Sequence, residues 1–102
     1  MKPIVVNSAT FDAEVRHSPV PVLVDFYADW CGPCRLLAPT IEALAEEAEG
    51  FKIVKINVDG APALCDEFRV MSIPTVIAFR GGEAVARAVG VRPKEALLAL
   101  LG

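Results

Sequence analysis

The stretch VLVDFYADWCGPCRLLAP, Val22 to Pro39, decides how the chain is read. Its first six residues, Val22–Tyr27, are apolar, β-branched or aromatic except for one carboxylate, Asp25. A nearly continuous run of this kind marks a central strand covered on both faces. The pattern then changes period. From about Cys34 to Glu49, Leu37, Ile41, Leu44 and Ala48 form an apolar helical stripe, with Glu42, Glu46, Glu47 and Glu49 mostly off it. Cys31 and Cys34, separated by Gly32 and Pro33, therefore sit where a strand hands over to a helix. Pro39 is expected to kink that helix, because it removes one N–H and crowds the preceding turn. Gly50 is expected to stop it.

Outward from this junction, strands and helices alternate. IVV (Ile4–Val6) reads as a short strand. Thr10 is placed to cap a short helix in which Phe11 and Val15 share a face. FKIVKINVD (Phe51–Asp59) is a further strand, and APALCDEF a short helix opened by Pro62. TVIAF and EAVARAV flank Arg80-Gly81-Gly82 as a hairpin. PKEALLALL closes the chain as a helix with Pro93 in its first turn. The order βαβαβαββα predicts an α/β fold whose sheet is parallel in its first part and ends in an antiparallel hairpin.

Composition narrows the function. The chain has 102 residues, 54% of them hydrophobic, and a formal charge of −3. That fits one domain with a real core. No basic run offers a surface for nucleic acid or an anionic membrane. The longest apolar run, ALLALL, is too short to span a bilayer. MKPIVVNSAT lacks the apolar segment and cleavage site of a secretory leader, so a cytoplasmic protein is expected. With 3 cysteines, at least one is unpaired or intermolecular.

A helix N-terminus carries partial positive charge and unsatisfied N–H groups. Both favour a thiolate, so the Cys31 thiol should be unusually acidic. Cys34 follows one turn later on the same side, able to donate to the Cys31 sulfur or to close a disulfide with it. Gly32 would let the backbone turn tightly, and Pro33 pre-sets φ for the helix. Trp30 would shield the pair. A static disulfide or a zinc site are the alternatives. Zinc needs four ligands, and only Cys65 and His17 could complete the set, without paired spacing. Asp25 is either a buried carboxyl with a raised pKa or a strand-end group in solvent. Lys55 alone reads as a snorkelling strand residue. Cys65 reads as a small buried hydrophobe, and His17 as a surface residue.

The strings VDFYADWCGPC (Val24–Cys34), KINVD (Lys55–Asp59), SIPT (Ser72–Thr75) and RGGE (Arg80–Glu83), with Pro39 and Gly90, resemble the thioredoxin family over essentially the whole chain. The resemblance implies a single domain, 1–102, with about five strands in a mixed sheet between helices on both faces. It implies a protein-disulfide reductase without bound cofactor or metal, reset by an NADPH-linked thioredoxin reductase and acting on client proteins, most simply as a monomer. Cys31 would attack and Cys34 resolve, with Asp25 behind Cys34 as its base and Lys55 nearby. The Ile73–Pro74 bond, trans by base rate, would be cis and face the cysteines. Trp30, Gly32, Pro33, Ile73, Pro74, Gly90 and Val91 would form the client-docking patch. Tyr27 departs from the tryptophan many members carry. Two rivals stand beside this reading: an oxidising disulfide donor or isomerase, and a non-catalytic binding module.

Overall fold

The computed structural model describes residues 2–102. Five strands form one sheet: β1 (Ile4–Val6), β2 (Val22–Tyr27), β3 (Lys52–Asn57), β4 (Thr75–Arg80) and β5 (Glu83–Val89). Their spatial order is β1-β3-β2-β4-β5. β3 runs parallel to both β1 and β2, while β4 runs antiparallel to β2 and β5. The helices are α1 (Gly32–Glu47), α2 (Pro62–Glu67) and α3 (Lys94–Ala99). A π-helical turn (Asp12–Arg16) and a 3₁₀ turn (Val58–Gly60) complete the chain.

β2 is apolar throughout because both of its faces are covered. Val22, Val24 and Phe26 point into a core with Phe11, Val15, Val54, Ile56, Leu64 and Phe79, under the π-helical turn and α2. Leu23 points the other way, into a core with Leu37, Ile41, Leu44, Ile53, Val76 and Leu97, under α1 and α3. Each fully buried large apolar side chain contributes about 1.5–3 kcal/mol relative to exposure. The first core is closed by an aromatic triad, with Phe11, Phe68 and Phe79 ring centroids 5.1–5.9 Å apart. Arg16 lies over Phe11 and Phe68 and bridges Asp12 and Glu67, each at 2.7 Å. It thereby ties the first turn to α2.

Several local expectations need correction. The first helical segment is capped by Asn7, whose Oδ1 accepts from the N–H groups of Ala9 at 2.9 Å and Thr10 at 3.0 Å. Thr10 bonds back to Asn7, its Oγ1 accepting from the Asn7 N–H at 3.0 Å and lying within donating distance of the Asn7 oxygens. The turn is π-helical, His17 N–H reaching the Asp12 carbonyl, yet Phe11 and Val15 are both buried as their spacing requires. α1 starts at Gly32, two residues earlier than its apolar stripe suggests, because Cys31 itself is the N-cap. It runs through Pro39 and ends at Glu47, where Ala48 turns extended. Gly50 lies beyond the helix end, in a left-handed turn at φ 76°. Pro93 likewise sits at the N-cap of α3 and outside its first turn. Among the described residues, no helix is long and apolar enough to cross a membrane.

Candidate active site

The cysteine pair is built by the end of β2 and the start of α1. Cys31, extended at φ −88° and ψ 113°, caps α1 with its own sulfur, which accepts the Cys34 N–H at 3.2 Å. A sulfur in this position takes up the positive end of the helix, which favours its thiolate. Cys31 and Cys34 are joined as a disulfide with Cα atoms 5.3 Å apart. Both are buried, among Ala28, Tyr27, Val58 and Ile73.

The second element arrives from far along the chain. The Ile73 carbonyl oxygen lies 3.8 Å from the Cys31 sulfur. The Ile73–Pro74 peptide is cis, so the family pattern, not the base rate, describes it. This loop is pinned at both ends: Thr75 Oγ1 donates to the Ser72 carbonyl at 2.6 Å, and the Gly90 N–H donates to the Pro74 carbonyl at 2.8 Å. Gly90 reaches that carbonyl with φ at 89°.

A groove of about 530 Å³ opens beside the pair, lined by Trp30, Val58, Pro62, Cys65, Asp66, Val70, Met71, Ser72 and Ile73. Trp30 and Ile73 were expected here. The others were not, because they meet only when α2 folds against the loop before β4. Gly32, Pro33, Pro74, Gly90 and Val91 do not line this groove. Trp30 is 67% exposed and so stands open, with its indole N–H tied to Asp59 at 2.9 Å. Met71, 91% exposed, had no signal beyond preceding SIPT. Cys65 is a free thiol, half-buried rather than fully buried, and burial followed by Asp66 pushes its pKa up.

Gly32 needs reinterpretation. Its backbone lies outside the positive-φ region, and an added Cβ would meet only the flexible end of Arg35 at 4.0 Å. Tight turning is therefore not its reason. Gly90 is the opposite case: nothing crowds a Cβ there, but the left-handed backbone costs other residues about 1–2 kcal/mol. Urea unfolding should accordingly show Gly90→Ala destabilised by about 1–2 kcal/mol and Gly32→Ala within about 0.5 kcal/mol of the parent. Equal losses would contradict this assignment.

Behind the disulfide lies a smaller cavity of about 170 Å³, lined by Asp25, Tyr27, Ala28, Asp29, Cys34, Arg35, Ala38 and Lys55. Asp25 points to the α1 side of the sheet, is 3% exposed, and has an Oδ1 without a hydrogen-bond partner. Burial pushes its pKa up to about 6, and the charge of Lys55 holds it from rising further. The solvent-facing reading of Asp25 is thereby excluded. The register pairs Asp25 with Lys55 on β3, yet the Lys55 ammonium sits over the Tyr27 ring, 4.4 Å from its centroid. No group of three His, Cys, Asp or Glu side chains converges as a metal site among the described residues.

A CxxC disulfide capping a helix, with a buried carboxyl opening onto its second cysteine, defines a thiol–disulfide oxidoreductase. The family model for thioredoxin matches residues 2–102. The chain belongs to the thioredoxin family, whose members are protein disulfide oxidoreductases that need no cofactor because the redox-active disulfide is in the protein. A thioredoxin of Streptomyces clavuligerus is 52% identical over 93 residues, covering 91% of this chain and 87% of that one. A bifunctional thioredoxin reductase/thioredoxin of Mycobacterium leprae is 49% identical over 96 residues, covering 93% of this chain and 21% of the longer one. Among solved structures, a mutant thioredoxin from Halobacterium salinarum superposes with a TM-score of 0.88 at 40% identity, covering 98% and 88% of the two chains. The activity is dithiol–disulfide exchange, and Cys31–Cys34 is the pair that fits it.

Proposed function

We infer that the two cysteines divide the exchange between them. The Cys31 thiolate attacks one sulfur of a client disulfide, and the other client sulfur leaves as a thiolate that takes a proton. Asp25 takes the proton of Cys34. The Cys34 thiolate then attacks the Cys31 sulfur, breaks the mixed disulfide and expels the second client thiolate. Two electrons have passed to the client, and Cys31–Cys34 is oxidised. The observation that carries this reading is the asymmetry of the pair: Cys31 caps the helix beside Ile73, whereas Cys34 opens onto the cavity that holds Asp25.

The client lies along Trp30, Ile73 and Pro74 as an extended segment, pairing with the Ile73 backbone in the manner of an added strand. Gly32, Pro33, Gly90 and Val91 form the remainder of that surface, Gly32 by leaving the first turn of α1 bare. An NADPH-linked thioredoxin reductase returns the pair to the dithiol. The fused relative, which carries both names in one chain, supports that pairing. The chain acts as one domain, a monomer, in the cytoplasm.

A coupled assay tests this reading. With a thioredoxin reductase, NADPH oxidation should depend on both the protein and a disulfide client such as insulin. The reduction potential should fall near the family value of about −270 mV, which is a property of thioredoxins and no consequence of this geometry. A potential of about −120 to −180 mV would instead mark a disulfide donor or isomerase.

A further inference from the structure

We propose that Tyr27 is a positioning residue for Lys55: its ring holds the ammonium off the Asp25 carboxyl, and so keeps that carboxyl free to take the Cys34 proton. The proposal rests on Asp25 being the base for Cys34. Three observations place the groups. Asp25 and Tyr27 are two residues apart on β2, so both face α1. The parallel register sets Lys55 directly beside Asp25. Adjacent strands lie about 4.8 Å apart, so an ion pair is within easy reach of a lysine stem. The ammonium nevertheless lies 4.4 Å from the Tyr27 centroid, and Asp25 Oδ1 is left without a partner.

The position of Lys55 sets how basic Asp25 is. A cation within about 4–6 Å favours the charged carboxylate, and closer contact favours it more. In contact with Asp25, Lys55 would hold the carboxylate charged and make it a weaker base. Removed entirely, it would leave burial unopposed and push the carboxyl pKa further up. The ring face offers an intermediate resting place, because its negative quadrupole attracts the ammonium without neutralising it. The other charged groups around the cavity are Asp29 and Arg35, Cys34 being held in the disulfide. Arg35 is engaged elsewhere, its Nη1 donating to the Asp29 carbonyl at 2.8 Å. Burial, then Asp29 and Asp25, push the Tyr27 phenol pKa up, so the ring is neutral at pH 7.

Carbon-13 NMR of the oxidised protein reads the Asp25 carboxyl directly. Tyr27→Leu should lower its titration midpoint by about one pH unit as Lys55 moves in, and Tyr27→Phe, which keeps the ring face, should leave it within about 0.3. Removing the ring also admits water to the carboxyl. The same substitution is therefore made in a Lys55→Met background, where the drop should largely vanish. A drop at least half as large there would mean that Tyr27 only shields Asp25, and would overturn the proposal, as would no drop at all. If Tyr27→Leu fails to fold, the Lys55 ε-methylene protons of the parent decide: ring-current shifts upfield support the contact, and random-coil shifts overturn it. None of these readouts depends on what Asp25 does. If Asp25→Asn resolved mixed disulfides as fast as the parent, the general-base reading would fail instead.

Discussion

Cys34→Ser is expected to turn the protein into a trap. Cys31 keeps its place at the helix N-cap, so attack on a client disulfide proceeds. Resolution is lost, because the hydroxyl that replaces Cys34 cannot attack a disulfide at neutral pH. Mixed disulfides through Cys31 should then accumulate, visible as reductant-sensitive adducts on non-reducing gels, while turnover falls to background. Cys65 does not rescue the step. It lies on α2, outside the Asp25 cavity, and burial raises its thiol pKa, which lowers its thiolate fraction. Cys31→Ser should lose attack itself and yield no adducts. Full insulin reduction by Cys31→Ser, with no partner trapped by Cys34→Ser, would sink the assignment.

The second large effect concerns stability. Asp25 has its pKa raised from 3.8 to about 6 by burial, so the folded state binds this proton more tightly than the unfolded chain does. A raised carboxylate pKa is neutral for stability below the unfolded value and costs stability as pH rises through the folded one. The cost grows between about pH 4 and pH 6 and is constant above that, at about 3 kcal/mol. Asp25→Asn, which cannot ionise, should therefore be more stable than the parent by about 3 kcal/mol at pH 7.5 and nearly equal to it at pH 4. In thermal unfolding the gain at pH 7.5 is an upward Tm shift on the order of 10 °C. The same variant should resolve mixed disulfides more slowly, by about 100-fold, the lower end for a lost general base. A constant stability difference across pH would show that the carboxyl is not the source. Greater stability combined with unchanged resolution would remove Asp25 from the reaction.

What could be read in advance followed the range over which each residue's surroundings are set. Val22–Tyr27 announces a strand covered on both faces because its own side chains supply both cores. The cysteines announce a helix start because Gly32 and Pro33 are local signals. Asp25 stands out in the same run, since a carboxylate among apolar neighbours must either be solvated or carry a raised pKa. The cap at Asn7 was missed because Thr10 offers the same chemistry three residues later, and only the actual backbone decides between them. Little of the groove was legible. Trp30 and Ile73 lie beside recognisable motifs, but Val58, Pro62, Val70 and Met71 become neighbours through packing of α2 against the loop before β4. Lys55 shows the same limit. Its alternation along β3 predicts a face, whereas its partner depends on a register with β2 that local pattern does not specify.

The strand order has an engineering consequence. β2 and β4, which bring the cysteines and Ile73–Pro74 together, are neighbours in the middle of the sheet, and β1 and β5 are its edges. Chain direction sorts the molecule into two poles. The disulfide sits past the end of β2, whereas Ile4 is level with Val24, further back along that strand. At the other end of the chain, the Leu101 carbonyl accepts from Arg80, the residue of β4 most distant from Pro74. Ile4 and the Leu101 carbonyl thus both lie back from the pole that carries the cysteines. A tether or surface linkage attached beside Ile4 or Leu101 would leave the pole that carries the disulfide facing outward.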